Sequence, residues 1–571
     1  MADTVPESWA SDVSGPPDGR REHLRNQADV DASGDAIDVE PGAAGRNSLA
    51  IVTWTTISRV TGFVRILAIS AVLGPTYLGN TFQSMNMMPS LAFELLTGSL
   101  FTSLLVPRLV RSVDQRDRRA TERIAGGFLG VVMAGGLVVA VAAVLAGGLL
   151  LSVVSIGVSD PGVAEAQQRV GWLLLVMLMP QVVLYGIGGT AGAVMNAHGH
   201  FAWPAAAPVL ENLGMIMTML SVALIFGTGG TLESVTTAEI VVLGLGSTAS
   251  VGLHAGVLWV GALRAGTSLV PRAGWHDPEI RQILRMLTPS LGYTGLGGLR
   301  MFAGMVVANT VAGGVVAFSA AVHFLKLPIA LGARPVAVAL LPRMSRLHLA
   351  HAPERFGEEV VRGFAVALFV TVPAVVLYLL LCEPLADAVS FGEMDTKHGV
   401  TLLTVALAAG ALGAVGDALF VVSTYASYAR KDARAPFRAM ALQTTVTCTG
   451  MLGALVLTGD VMVLAVLGAA ITIGNLVSAW HLGRRFMPLL PRGARALTPS
   501  LRRAAGGSLL MAGPAYFIAD RLREHVPGLA AVLVAVAGGA AIYLALHRRW
   551  RSPELTFFVD GLRKPQPGGT G

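Results

Sequence analysis

Charge is what this sequence has least of. Only 13% of its 571 residues are Asp, Glu, Lys or Arg, while 53% are hydrophobic. An average soluble chain carries roughly 25% charged residues, so a soluble globular protein is excluded. Cysteine is nearly absent. Cys382 and Cys448 both fall inside apolar runs, which argues against a disulfide framework or a cysteine metal site. Lysine occurs four times, and every other basic residue is arginine. No P-loop, HExxH, nucleophile elbow or Asp-rich diphosphate–metal motif is present. That lack argues against an enzyme and gives no cofactor to expect. The first 46 residues are rich in Asp, Gly, Pro and Ser and hold no apolar h-region. They are not a signal peptide and are expected to form a disordered cytoplasmic tail.

What is present is a series of apolar runs near the length that crosses a bilayer. They lie at roughly 48–74, 79–107, 124–154, 170–195, 202–226, 238–262, 284–310, 314–342, 361–382, 399–424, 437–458, 460–483, 502–519 and 528–547. The expected fold is an all-α polytopic membrane protein with about fourteen transmembrane helices. Basic residues cluster after the even-numbered runs, as in Arg108, Arg111, Arg116, Arg118 and Arg119, or Arg430, Lys431 and Arg434. Loops after odd-numbered runs hold acids such as Asp160, Glu383, Asp387 and Asp395. The positive-inside rule then places both termini in the cytoplasm. It also accounts for the net charge of +7 without invoking nucleic acid.

The chain repeats itself. SRVTGFVR at 58–65 faces YTGLGGLR at 293–300, and LLVPRLVR at 104–111 faces LLPRMSRL at 340–347. GGFLGVVM at 126–133 faces RGFAVALF at 362–369, and NAHGHFAWP at 196–204 faces YARKDARAP at 428–436. The offset between partners is nearly constant across all these pairs. Six spans per repeat is an even number, so the halves are parallel, a known transporter plan. The expected domains are a tail at 1–47, six-helix lobes at 48–264 and 284–485, an appended helix pair at 500–548 and a tail at 549–571.

Ionisable residues inside the runs are few: Arg59, Arg65, Glu94, Glu211, His254, Arg300, His323, Lys326, Arg334 and Asp417. An arginine near a bilayer centre costs at least about 2.5–3.5 kcal/mol on insertion scales, so such residues face the bundle interior or a watery cavity. Arg59, Arg65, Arg300 and Lys326 could line a cationic cavity, and guanidinium groups suit diphosphate through planar, bidentate donors. The alternative is that they snorkel to an interface or pair with Glu94 or Asp417. Glu94 could neutralise an arginine or carry a coupling proton, and Asp417 could bind a coupling cation. His254, His198 and His200 are taken as structural or loop residues. The string GIGGTA at 186–191 lies within an apolar run, where it signals close helix packing rather than a dinucleotide site.

Several of these stretches resemble the MurJ/MviN family, the lipid II flippases of the multidrug/oligosaccharidyl-lipid/polysaccharide exporter superfamily. SRVTGFVR resembles that family's first-helix motif SRxxGFxR. LGNTFQSMNMMPS at 78–90 is similar to its second-helix stretch TDAF…PN. MPQVVLYGIGGTAGAVMNAHGHFAWPAAAPVLEN at 179–212, ALLPRMSR at 339–346 and YARKDARAP resemble later segments. The resemblance implies two six-helix lobes around a cavity of alternating opening. It also implies a lipid-linked peptidoglycan precursor as cargo and a plasma-membrane location. The expected partners are that cargo, membrane lipids and cell-wall synthesis proteins, with no nucleic acid. Arg59 and Arg65 match the family's first-helix arginines. Arg300, Lys326, His323, Asn80 and Ser90 complete the expected substrate site, with Glu94 and Asp417 as ion-coupling candidates. The chain departs from the family where Asn80 replaces an acid, Ser90 an asparagine, Phe93 and Glu94 arginines, and His323 an arginine. These departures make the site less cationic. A transport-inactive scaffold of wall assembly, or an exporter of another polyprenyl-linked glycan, is the alternative reading.

Overall fold

Alternation of apolar runs with short polar turns produces helices almost throughout. The computed structural model describes residues 41–97, 105–285, 287–456, 461–490 and 493–557. Most of the two expected tails lies outside these residues. The exceptions are 41–47, which the structure makes helical because α1 begins at Pro41, and 549–557, which carries on from the last long helix. The first half holds α1 (Pro41–Leu73), α2 (Tyr77–Thr97), α3 (Val106–Asp114), α4 (Arg118–Leu145), α5 (Gly147–Val154), α6 (Pro161–Leu178), α7 (Gln181–Ala197), α8 (Ala202–Ile225) and α9 (Thr237–Arg264). After a short α10 (Pro278–Arg285) come α11 (Leu287–Ala308), α12 (Gly314–Pro328), α13 (Arg334–Leu349), α14 (Pro353–Leu380), α15 (Cys382–Val389), α16 (Lys397–Ala411), α17 (Gly413–Ala429), α18 (Arg434–Ala454) and α19 (Met462–Gly483). Helices α20 (Thr498–Leu522) and α21 (Gly528–Arg549) pack on each other, and α20 also packs on α14.

Within the described residues, each expected run coincides with helix. Nine helical stretches there are long and apolar enough to cross a membrane, and the bent pair α16–α17 makes a tenth. The remaining runs coincide with helices such as α2, whose Asn80, Gln83, Ser84 and Asn86 dilute its apolar character. The structure also breaks several runs. Pro180 separates α6 from α7 because it has no N–H to extend the ladder. A π-helical turn, Ile329–Ala333, interrupts α12–α13 between Pro328 and Pro335.

Contacts make Ile51–Gly571 one compact unit. Within it, α9 packs on α6, α7 and α8, while α19 packs on α16, α17 and α18. The buried clusters segregate in the same way. Two draw their fully buried residues from 69–283, among them Leu78, Phe82, Phe128 and Leu174. Another draws on 329–490, including Phe364 and Phe486. Helix α2 packs on α11 and α12, and Ile66 of α1 joins a cluster otherwise built from 305–470.

The repeat is written into the backbone. Gly199 (φ 75°) and Lys431 (φ 59°), at matching places in the two halves, each end a helix in the left-handed region. So do Arg116 (φ 54°) and His351 (φ 51°), a second matching pair. In each turn the next N–H donates back to a helix carbonyl: His200 to Met195 at 2.9 Å, and Asp432 to Ser427, Asp117 to Ser112 and Ala352 to Leu347 at 3.0 Å. This is the bonding of a Schellman cap, a motif that favours glycine. Only Gly199 obeys that preference; the other three carry the left-handed strain of a β-carbon.

Two stability tests follow. A Cβ at Gly199 would meet nothing within 4 Å, so Gly199→Ala should cost about 1 kcal/mol through backbone strain alone. Lys431→Gly, at the matching position, should raise the melting temperature of the detergent-solubilised protein. Beyond α21, Glu554 is buried and paired with Arg503 at 2.6 Å. Burial is the largest influence and pushes its carboxyl up, but the hydrogen bonds from Arg503 and Ser500 and the Arg503 charge together outweigh it and hold the group below its usual range. This anchor therefore contributes fully above the ordinary carboxylate range and weakens as pH falls through the depressed value. Acid should release the 552–557 segment to proteases first.

Candidate functional site

A cavity of about 390 Å³ opens among α2, α11, α12, α16, α17 and α19. Two breaks in helix geometry shape its wall. The π turn begins at Ile329, and the α16–α17 axis bends by 45° beside Gly410 and Gly413. Small residues let α17 and α19 approach closely: a Cβ at Gly416 would lie 2.8 Å from the Asn475 backbone.

Six of the nine expected site residues line this cavity: Ser90, Glu94, Arg300, His323, Lys326 and Asp417. His323 and Lys326 lie deep in the protein yet remain water-accessible because they open onto it. Lys326 experiences the fields of Asp417, Arg300, Glu94 and Arg334. The imidazole Nδ1 of His323 lies 2.8 Å from the Ser319 carbonyl. Arg300 donates to Asn475 Oδ1 at 2.8 Å, and Gln443 donates to the same oxygen at 2.5 Å. Asn475 donates in turn to the Gly413 carbonyl at 3.1 Å. The guanidinium is thus held by a neutral amide that Gln443 and the Gly413 carbonyl fix in place. Ser90 Oγ donates to its own helix at the Met87 carbonyl, 2.9 Å away.

The other three expected residues lie elsewhere. Asn80 is fully buried, donates to the Val311 carbonyl at 2.8 Å and accepts from the Val315 N–H at 3.0 Å. Both ends of its amide are spent on fixing the α11–α12 turn, so it has nothing left for a substrate. Arg59 is exposed on α1 and does not line the cavity. Arg65 pairs with Glu211 of α8 at 3.3 Å. Glu211 is also 2.7 Å from His254 Nδ1 of α9 and 3.4 Å from the Tyr185 hydroxyl of α7. Arg59 and Arg65 still project their fields onto His323. His254, expected to be structural, is a member of this cluster. Phe93, expected from the resemblance to replace an arginine, packs against Tyr185 with ring centres 5.7 Å apart and planes tilted by 35°. Together they wall a second, mostly apolar cavity of about 330 Å³. The GIGGTA stretch does pack closely: a Cβ at Gly186 would lie 2.6 Å from Val132.

Asn475, Gln443 and Glu211 were given no role by sequence reasoning. One signal could have found them. Gln443 follows Glu211 at the same offset that separates YARKDARAP from NAHGHFAWP just before them. In both halves the arginine of the leading helix is held by one of the two helices that close that half, Arg65 by Glu211 of α8 and Arg300 by Asn475 of α19.

A bundle of many apolar helices around a cavity that holds Arg300 and Lys326 fits a polytopic membrane transporter. The sequence model of the family described as "Lipid II flippase MurJ" matches residues 69–550. A Rhizobium tropici protein described as a probable lipid II flippase MurJ is 24% identical over 76% of this chain and 83% of its own length. The lipid II flippase MurJ of Burkholderia cenocepacia is 23% identical over 69% of this chain and 75% of its own. A solved structure of lipid II flippase MurJ in an inward closed conformation superposes with a TM-score of 0.68 at 16% identity, covering 90% of this chain and all of that one. An inward-facing multidrug resistance transporter of the MATE family gives 0.60 over 77% of this chain and 98% of that one. The chain belongs to the MurJ lipid II flippase family.

Asn475→Ala should take the acceptor from Arg300 and from the buried Gln443 amide at once. An unsatisfied buried group costs about 1–3 kcal/mol, so a clear fall in thermal stability in detergent is expected. Asn475→Asp, which still accepts from Arg300, should lose less.

Proposed function

We propose that this protein flips a lipid-linked peptidoglycan precursor, a lipid II-like polyprenyl diphosphate glycan, across the plasma membrane by alternating access. The observation that carries this reading is the convergence of Arg300 and Lys326 on one cavity, in a chain of the flippase family. A diphosphate needs two or more convergent cationic donors to replace its hydration. Arg300 offers a planar fork held in place by Asn475, and Lys326 a mobile point charge. At about 390 Å³ the cavity has the size of a small-ligand pocket, which suits a head group rather than a whole lipid. The polyprenyl tail is assigned to the bilayer side of α20 and α21. In this reading 48–264 and 284–485 act as lobes that rock about the cavity, fourteen helices span the bilayer, and both termini face the cytoplasm. Ser90 and His323 contribute polar contacts, and Asp417 and Glu94 tune the charge of Lys326.

A scaffold without transport is favoured by one feature. Glu94 stands beside Lys326, where the family carries arginine. Complementation separates the two readings. The intact chain should rescue a conditional lipid II flippase mutant, and Arg300→Ala and Lys326→Ala should abolish rescue with the protein still in the membrane. Rescue by both variants would favour the scaffold. Failure of the intact chain, when well expressed, would sink the lipid II reading.

A further inference from the structure

The two halves of the repeat treat equivalent arginines differently. Arg300 is held by the neutral Asn475 amide of α19, which Gln443 of α18 braces. Arg65 is held by a carboxylate of α8, which itself touches an imidazole of α9. The groups facing Glu211 are Arg65 from α1, Tyr185 from α7 and His254 from α9. On the cavity side, His323 of α12 shares the field of Arg65. Arg65 is engaged but not saturated: its side chain is 24% exposed, and its Nε is buried with no hydrogen-bond partner. An incoming anion therefore has access to this guanidinium through its exposed part, and the buried Nε–H becomes a further donor only when the side chain turns away from Glu211. If it takes Arg65, Glu211 is left as a buried carboxylate without its cation, which is strongly unfavourable. The remedy within reach is one proton from water, shared by Glu211 and His254, whose atoms are 2.7 Å apart.

We infer that Glu211 is a built-in competitor for Arg65, and that a cargo phosphate displaces it while the Glu211–His254 pair takes up one proton. This inference rests on the reading of the chain as a carrier of an anionic lipid-linked cargo. The proton comes from the aqueous phase and returns there when Glu211 recaptures Arg65 on cargo release. Linkage is reciprocal, so anion affinity must rise as pH falls, by up to about tenfold per pH unit where one proton is taken up. Glu211 is thus a positioning and coupling residue, acting on the cargo through Arg65.

The test is the affinity of the full chain in detergent for a polyprenyl diphosphate sugar between pH 6 and 8. As a diester, this probe keeps a constant charge across that range. The wild type should bind more tightly at lower pH. Glu211→Gln, which cannot hold Arg65 as an anion, should bind tightly with a flat profile, and Arg65→Ala should bind weakly with a flat profile. His254→Gln should move the pH at which affinity changes, and it decides the matter if Glu211→Gln does not fold. Binding by the wild type with no pH dependence, or identical profiles in wild type and Glu211→Gln, overturns the inference and leaves the transport reading standing. No binding at any pH overturns the transport reading itself.

Discussion

An arginine placed inside an apolar helix must find a partner, and this fold is arranged around two such arginines. Arg65 and Arg300 occupy equivalent places in the leading helix of each half. Each reaches across to the pair of helices that closes its own half, Arg65 to Glu211 and Arg300 to Asn475. The close packing there depends on small residues. A Cβ at Gly62 would press on Asn212 at 3.4 Å, and one at Gly416 on the Asn475 backbone. The polar contacts and the helix packing therefore support each other.

The halves are alike in backbone and unlike in charge. Left-handed caps recur at Gly199 and Lys431, and at Arg116 and His351, because the same sharp turns must join the same helices. The side chains around the arginines have diverged. A carboxylate pairs with the first arginine, while a neutral amide holds the second. In the second half Lys326 and Arg300 share their cavity with Asp417 and Glu94, across the bend of α16–α17 and the π turn after α12. Irregular backbone of this kind is tolerated at membrane depth where it lines a cavity.

Helix α2 carries the stretch that resembles the family's second-helix motif, and the structure gives each of its expected site positions a distinct use. Asn80 ties the α11–α12 turn to α2 through two backbone bonds. Phe93 packs against Tyr185 in the wall of the apolar cavity. Ser90 and Glu94 remain at the cavity. The motif is thus divided between a structural anchor, an apolar wall and the polar site.

Much of this was legible in the sequence, for a physical reason. Hydropathy reports where a segment sits relative to a bilayer, and repeat spacing reports that two segments make the same turn. Both are local properties, so the helical runs, the repeat and the short list of charged residues within spans follow from residues alone. Which charges meet is not local. Arg65 and Glu211 are 146 positions apart, and Arg300 and Asn475 are 175 apart. Nothing in either segment states the rotation that brings them face to face. Helix packing decided that Asn80 is an anchor, that His254 belongs to an ionic cluster, and that Arg300 and Lys326 share a cavity from which Arg59 is absent. The sequence by itself determined that buried cations must be compensated; only the tertiary structure decided by whom.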